Sequence, residues 1–359
     1  MRILALEIAG LRNLIGQRIT PGPRGNLFCG PNGAGKTSML EAIYLLGTGR
    51  SFRTTSFESA IAYGEPLAVV SAVVGSDDGE HRVGIERRRD GGIHARIDGR
   101  DLSNASSLAL QLPCHLLDAS TIGVVVGGPK SRRQLLDWGV FHVEHEFAAL
   151  TRQLRGVLAH RNALLSSADA AQLRFWDVRF ADLALQVHEH RARYMERLVP
   201  EFQDVLGTLE APPIEVSYRP GWSTDRHLAD VLSSARESER GVGRTLYGPH
   251  RADLRLSTAG RLLPQALSRG QQKVVAYALV LAQIRLELKT TPRPAIVLVD
   301  DLLAELDMHH AALVNAALQD LGVQYFVTSI DCGSSAFPLR DEQFLVFHVE
   351  RGMISLDAI

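Results

Sequence analysis

Eight residues near one end of the chain and two near the other have the types and spacing to hold a nucleoside triphosphate. Gly30-Pro31-Asn32-Gly33-Ala34-Gly35-Lys36-Thr37 fits the template G-x-x-x-x-G-K-[ST]. Its glycines permit backbone conformations that a Cβ resists, so N–H groups can close around phosphate oxygens. A helix starting at the loop would add partial positive charge there. Lys36 would then bridge β- and γ-phosphate oxygens, and the Thr37 hydroxyl would ligate Mg²⁺. Asp300-Asp301 follows the apolar run Ile296-Val297-Leu298-Val299. Asp300 is expected to hold Mg²⁺ through water, because that ion dehydrates reluctantly. Asp301 is expected to orient or deprotonate an attacking water; its alternative is a cap or an arginine partner. Asp307 ends the string Leu303-Ala304-Glu305-Leu306-Asp307, where it could also cap a helix beginning near His309. Ser268-Arg269-Gly270-Gln271 opens a long helix, as a second anion-binding end or as an ordinary N-cap.

The elements that must position these groups can be read from periodicity. Ile3–Ile8, Leu14–Ile19 and Asn26–Cys29 read as strands, and Thr37–Leu46 as a helix. Leu67–Gly75, His81–Arg88 and Ile93–Ile97 read as an antiparallel meander with Gly- and Asp-rich turns. From about Ser131 to Leu209 strand signals fade. Met195, Leu198, Val199, Phe202, Val205 and Leu206 follow helical spacing. A break near Ser166-Ser167 suggests a helical hairpin or arm, and Pro200 should kink its second helix. A strand near Ile214–Arg219 and a helix near Asp225–Arg240 follow. The remainder returns to α/β texture: helix Gln272–Leu288, strand Ala295–Val299, helix His309–Leu321, and strands Tyr325–Thr328 and Phe344–Val349. The expected fold class is therefore α/β, with a mixed sheet, flanking helices, a small antiparallel sheet and an inserted helical arm. Residues 1–125 and 245–359 would form the nucleotide-binding head, and 126–244 the arm.

The chain has 359 residues, 45% hydrophobic and 22% charged, as in ordinary globular proteins. With 39 Lys plus Arg against 40 Asp plus Glu, contact with nucleic acid requires local basic patches. Cys29, Cys114 and Cys332 show neither metal-ligand spacing nor an even-numbered disulfide framework, so a reducing cytosol is the expected compartment. Met1–Leu6 is followed at once by Glu7, which is not a secretory pattern. No apolar run approaches the ~20 residues of a membrane span.

The order of these motifs carries a resemblance. Phosphate loop, helical insertion, S-x-G-Q string, apolar strand with paired acids, then E-L-D: this resembles the head of an ABC-type ATPase of the RecF/SMC branch. Gly47–Arg53, Gly127-Gly128-Pro129-Lys130-Ser131-Arg132-Arg133 with Leu136-Asp137-Trp138, Gly248–Leu254 and Ser268–Lys273 are similar to strings of the RecF family. The matches run from Arg12-Asn13 to Thr328-Ser329-Ile330-Asp331. The resemblance implies a cytosolic, ATP-dependent DNA-binding protein with a weak, DNA-stimulated ATPase used as a switch. It implies an ATP-dependent homodimer in which Ser268, Arg269, Gly270, Gln271 and Asp307 of one subunit face the nucleotide of the other. It implies work at double-stranded DNA and single-strand/double-strand junctions, with RecO and RecR as partners, loading of RecA, and support of SOS induction. One departure is Leu117-Asp118-Ala119-Ser120, where the family usually carries Pro-Glu. The alternative is the ATPase subunit of a membrane transporter. Against it stand the signature Leu267-Ser268-Arg269-Gly270-Gln271 in place of L-S-G-G-Q, and the long insertion.

Arginine clusters supply candidate DNA contacts. Arg87, Arg88, Arg89, Lys130, Arg132 and Arg133 are the leading set, with further arginines along the arm, among them Arg161 and Arg191. Such contacts would be independent of sequence and weaken steeply with salt. No aromatic ladder for single-stranded bases is evident, which favours duplex backbone binding.

Overall fold

The computed structural model describes residues 1–76, 78–102, 108–144, 146–165, 170–291, 295–339 and 341–357. Its internal contacts divide the chain into two units: Met1–Thr121 with Tyr277–Ile359, and Ile122–Ala276.

Among the described residues, the first unit carries two six-stranded sheets. One is antiparallel, in the order β2-β1-β4-β5-β6-β7. Its strands are β1 (Arg2–Leu11), β2 (Leu14–Ile19), β4 (Leu67–Ser76), β5 (Gly79–Arg88), β6 (Ile93–Ile97) and β7 (Arg100–Asp101). In β4 the buried residues alternate along Ala68, Val70, Ala72 and Val74, the period of a sheet with one covered face. The expected meander is therefore part of a larger sheet, because β1 pairs with β4 as well as with β2.

The other sheet is mixed, in the order β15-β14-β3-β13-β12-β8. Its strands are β3 (Gly25–Cys29), β8 (Cys114–Leu117), β12 (Ile296–Val299), β13 (Gln324–Ser329), β14 (Phe344–Glu350) and β15 (Met353–Leu356). All but β15 run parallel. Every residue of β3, β12 and β13 is buried, as expected of parallel strands covered on both faces. Helices α1 (Lys36–Thr48), α2 (Leu108–Gln111), α10 (Leu302–Glu305) and α11 (Met308–Asp320) complete this unit.

Buried polar groups fasten the two sheets. Gln324, 2% exposed, accepts from Ile3 N–H at 2.7 Å and donates to Ile3 O at 3.0 Å. Its amide thus acts as a backbone partner where β1 shifts register against β4, between Ile3 and Ala5. Glu41 lies buried on α1 and accepts both Nε and Nη2 of Arg12, each at 2.9 Å.

The second unit is mainly helical. It contains α3 (Gly123–Val126), α4 (Pro129–Val143), α5 (Phe147–Leu164), α6 (Ala170–Thr208), α7 (Leu228–Val242) and α8 (Leu263–Ala266). A three-stranded sheet β11-β10-β9 accompanies them, with β9 (Glu215–Arg219), β10 (Asp253–Thr258) and β11 (Arg261–Leu262). Helix α9 (Arg269–Thr290) contains the boundary between units, at Ala276/Tyr277. The expected break at Ser166-Ser167 lies outside the described residues; α5 and α6 pack against each other on either side of it. Helix α6 continues through Pro200, held by buried Leu198, Phe202, Val205 and Leu206 around that turn. The expected division at 244/245 differs from the observed one at 276/277. The reason is that β10 pairs with β9 and that Arg132 binds Asp253 through two hydrogen bonds.

Two arginines assigned above to a basic arm face are internal instead. Arg161 is 0% exposed and pairs with Asp177 at 2.8 Å and Glu239 at 2.5 Å. Arg191 pairs with Asp137 and donates to Pro249 O. Neither offers its charge to a polyanion. Removing Arg161 leaves two buried carboxylates without it, although Arg236 still reaches Asp177. Arg161→Leu is expected to lower stability by about 3–5 kcal/mol, read as a shift of the denaturant midpoint.

Candidate nucleotide site

The parallel strands β3, β13, β12 and β8 all end at one edge, and each delivers polar groups there. This is the edge at which open α/β sheets bind ligands. The loop Gly30–Gly35 leaves β3 and enters α1 at Lys36. Gly30 has φ +151°, and a Cβ on it would lie 2.1 Å from Val349 O. No other residue type fits there without displacing backbone. Lys36 Nζ donates to Gly30 O at 2.6 Å and Pro31 O at 3.0 Å. Burial lowers the pKa of the Lys36 ammonium, and nearby Asp301 and Asp300 oppose that shift.

Asp300 follows β12 and faces the loop. Its Oδ1 accepts from Thr37 Oγ1 at 3.0 Å and from Thr328 Oγ1 at 2.8 Å. Burial raises the Asp300 carboxyl pKa; the two threonine hydroxyls pull it down, and Asp301 and Asp118 add to the rise. Asp301 has φ +51° at the N-terminus of α10, and its N–H donates to Thr328 Oγ1 at 2.7 Å. Asp118 follows β8, whose Leu117 pairs with Val299, so it stands beside Asp300 at the sheet edge. Around the loop lies a cleft of about 440 Å³ lined by Asn13, Lys36, Thr37, Arg53, Asp301 and Thr328 among others. Asn13 supports its floor by donating to Ala34 O at 2.9 Å. Thr328, Asn13 and Arg12 had no assigned role in the sequence beyond lying in matching strings. A polar Thr328 near the end of an otherwise apolar strand is the signal that could have found it.

The other candidates lie as follows. Ser268 Oγ accepts from Gln271 N–H at 3.3 Å, and Gln271 Oε1 accepts from Ser268 N–H at 3.0 Å. This reciprocal capping box starts α9, with Ser268, Arg269, Gly270 and Gln271 all exposed. Asp307 caps α11, accepting from His310 N–H at 2.9 Å, and the His310 contacts hold its carboxyl below the usual range. Arg87 donates to Gly49 O, with its guanidinium 4.5 Å from the Phe57 ring centre. Arg88 pairs with Glu86, and Arg89 donates to Glu65 O and Ala62 O. Arg133 donates to Ala252 O, and Lys130 is exposed. Cys29 is disulfide-bonded to Cys332, 303 residues away, where the sequence suggested no bridge. Neighbouring parallel strands β3 and β13 bring the two together.

Comparison with known proteins gives a consistent result. The sequence profile described as the RecF/RecN/SMC N terminal domain matches residues 2–355. The DNA replication and repair protein RecF of Stutzerimonas stutzeri is 39% identical, covering 99% of this chain and 97% of its own. That of Shewanella baltica is 37% identical, covering 99% of each. A solved structure described as the recombination mediator protein RecF-ATP in the RecFOR pathway superposes with a TM-score of 0.87. It is 23% identical and covers 99% of this chain and 97% of its own. An SMC head bound to a ScpA winged-helix domain follows at TM-score 0.62 and 16% identity, with 99% of this chain and 97% of its own covered.

Asp300 sets a stability prediction. Its pKa is raised in the folded state, so ionised Asp300 costs stability above that folded value. The cost disappears below the ordinary value of 3.8. Without Mg²⁺ or nucleotide, Asp300→Asn should therefore melt at higher temperature than the parent at pH 7. The gap should close as pH falls toward 4, as read by calorimetric melting across that range.

Proposed function

The chain belongs to the RecF family of ABC/SMC-type ATPase heads, and from that premise we propose that it is an ATP-switched DNA-binding protein of replication and recombinational repair. The observation that carries this reading is the 3.0 Å hydrogen bond between Thr37 and Asp300, two residues 263 apart in sequence. It supports a single phosphate site built from both ends of the chain. Residues Gly30–Thr37 would cradle the triphosphate, with Lys36 turning from Gly30 O and Pro31 O to the phosphates. The hydroxyl of Thr37 and the carboxylate of Asp300 are an all-oxygen donor set suited to Mg²⁺, and they would hold it. Bound there, the ion would neutralise phosphate charge. Asp301 would orient the attacking water. Asp118 adds negative charge beside Asp300, where the family usually has a glutamate slightly further along.

Closure of two copies is the proposed response to ATP. The exposed Ser268–Gln271 helix start and Asp307 would meet the partner's nucleotide. A site that is half complete in one copy couples ATP to assembly, and slow hydrolysis ends the closed state. Duplex DNA and single-strand/double-strand junctions are the proposed ligands, with exposed Arg88, Arg89 and Lys130 as backbone contacts. Arg87, Arg132 and Arg133 are tied to internal partners and contribute through the faces they leave open. Cooperation with RecO and RecR, loading of RecA, support of SOS induction and a cytoplasmic location follow from the same family reading. Among the described residues no helix is long and apolar enough to cross a membrane. The relatives named above give no support to the transporter alternative.

Gel retardation of duplex DNA at low salt tests this. Retention should require ATP and should be lost in Lys36→Met. That variant removes charged hydrogen bonds worth about 1.5–3 kcal/mol, so ATP should bind roughly 10- to 150-fold more weakly. Equal retention with and without ATP would sink the switch.

A further inference from the structure

Three strand ends beside the phosphate loop converge on two sulfurs and an imidazole. Cys29 ends β3, immediately before Gly30. It pairs in register with Ser329 of β13 on one side and with His348 of β14 on the other. Cys332 lies three residues beyond Ser329. His348 Nδ1 is 3.8 Å from Cys29 Sγ and 3.6 Å from Cys332 Sγ. The other ring nitrogen, Nε2, is 3.0 Å from Asp357 Oδ2. With Nε2–H donated to that carboxylate, Nδ1 turns its lone pair toward both sulfurs. The nucleotide site uses none of these side chains.

Exposure divides the two cysteines. Cys29 is 0% exposed, Cys332 is half-buried, and the His348 ring is open to solvent on one side. The third cysteine, Cys114, is fully enclosed; burial pushes its thiol pKa far up, so it stays protonated and inert. A reagent from solution can therefore reach Cys332 first, with Cys29 behind it as the resolving thiol.

We propose that Cys29, Cys332 and His348 form a reversible thiol–disulfide exchange site, oxidised by low-molecular-weight disulfides, which fastens the segment after β13 to the base of the phosphate loop. In the forward direction Cys332 gives its proton to solvent, and its thiolate attacks one sulfur of the small disulfide. That S–S bond breaks, a small thiolate leaves and takes up a proton from solvent, and a mixed disulfide remains on Cys332. Cys29 then gives its proton to His348 Nδ1, and its thiolate attacks the Cys332 sulfur. The Cys29–Cys332 bond forms, and the second small thiolate leaves with the proton from His348. Two protein thiols are oxidised, and one small disulfide is reduced to two thiols. The product bond holds Ile330–Cys332, whose Ile330 is 52% exposed, against the end of β3, which leads into Gly30.

The test uses the full chain, reduced and freed of reductant, then incubated with oxidised glutathione. Aliquots are acid-quenched, denatured, alkylated and weighed by intact mass spectrometry. Alkylatable thiols should fall from three to one with no glutathione retained, and a peptide map should join Cys29 to Cys332. Cys29→Ser should stop at one glutathione on Cys332, while Cys332→Ser should keep both remaining thiols alkylatable. His348→Ala, folded by circular dichroism, should close the bridge about a hundredfold more slowly, the low end of general-base effects. Amide exchange at 330–332 should slow on oxidation. Three alkylatable thiols after treatment would overturn the proposal, as would glutathione persisting on Cys332 of the parent chain. An unchanged rate in His348→Ala would remove the imidazole from the mechanism. One equivalent of zinc held by the native reduced protein and preventing bridge formation would make the cluster a metal site instead.

Discussion

Everything at the candidate site depends on the parallel backbone ladder that joins β3 to β13, β13 to β12, and β12 to β8. Hydrogen-bonded parallel strands end on the same side of a sheet, so their following residues become neighbours however distant in sequence. The ladder pairs Ser329 with Cys29, and Val299 with both Val327 and Leu117. Gly30, Asp300, Ile330 and Asp118 are then the next residues on adjacent strands. The 3.0 Å contact between Thr37 and Asp300 is a consequence of that register. A one-residue slip of β12 would reverse its faces and remove the carboxylate from the loop.

Apolar burial holds the ladder, and a few polar fasteners fix its surroundings. Strands β3, β12 and β13 are buried throughout, which defines the sheet but gives little angular specificity. Gln324 supplies that, because leaving Ile3 N–H and O unpaired in the interior costs about 1–3 kcal/mol per group. Asn26 acts similarly, accepting Gly22 N–H at 2.7 Å. The Arg12–Glu41 pair is different. A buried carboxylate pays a desolvation penalty that its partner mainly offsets, so the pair adds specificity more than net stability. It anchors Arg12 to α1, and the next residue, Asn13, braces Ala34 of the loop.

Much of the site was legible because its chemistry is local in sequence. The G-x-x-x-x-G-K-[ST] template calls for glycine at 30 and a hydroxyl at 37, and an apolar strand delivering two aspartates is conspicuous. Five of the six described strands of the antiparallel sheet were legible through alternation, and β2 and β6 have the expected bounds; β7, two residues long, shows no period. Strand β8 was missed: Cys114–Leu117 is four residues long, too short for a period to show, and becomes a strand only by pairing with β12. Thr328 and Asn13 were seen as parts of strings without roles, because their partners lie far along the chain. Arg161 and Arg191 looked like solvated helix charges. Only the packing of α4, α5, α6 and α7 shows the carboxylates that enclose them. The Cys29–Cys332 bond was hidden by the same distance, since a separation of 303 residues leaves no spacing pattern to read.

In this reading of the site the two ends of the chain make one energetic unit around a triphosphate. A double-mutant cycle on Thr37→Ala and Asp300→Ala measures this directly, using calorimetric titration with ATP and Mg²⁺. Coupling is expected: the double variant should lose markedly less affinity than the two single losses combined, by more than the ~0.5 kcal/mol within which independent sites add. Additive losses within that margin would contradict it.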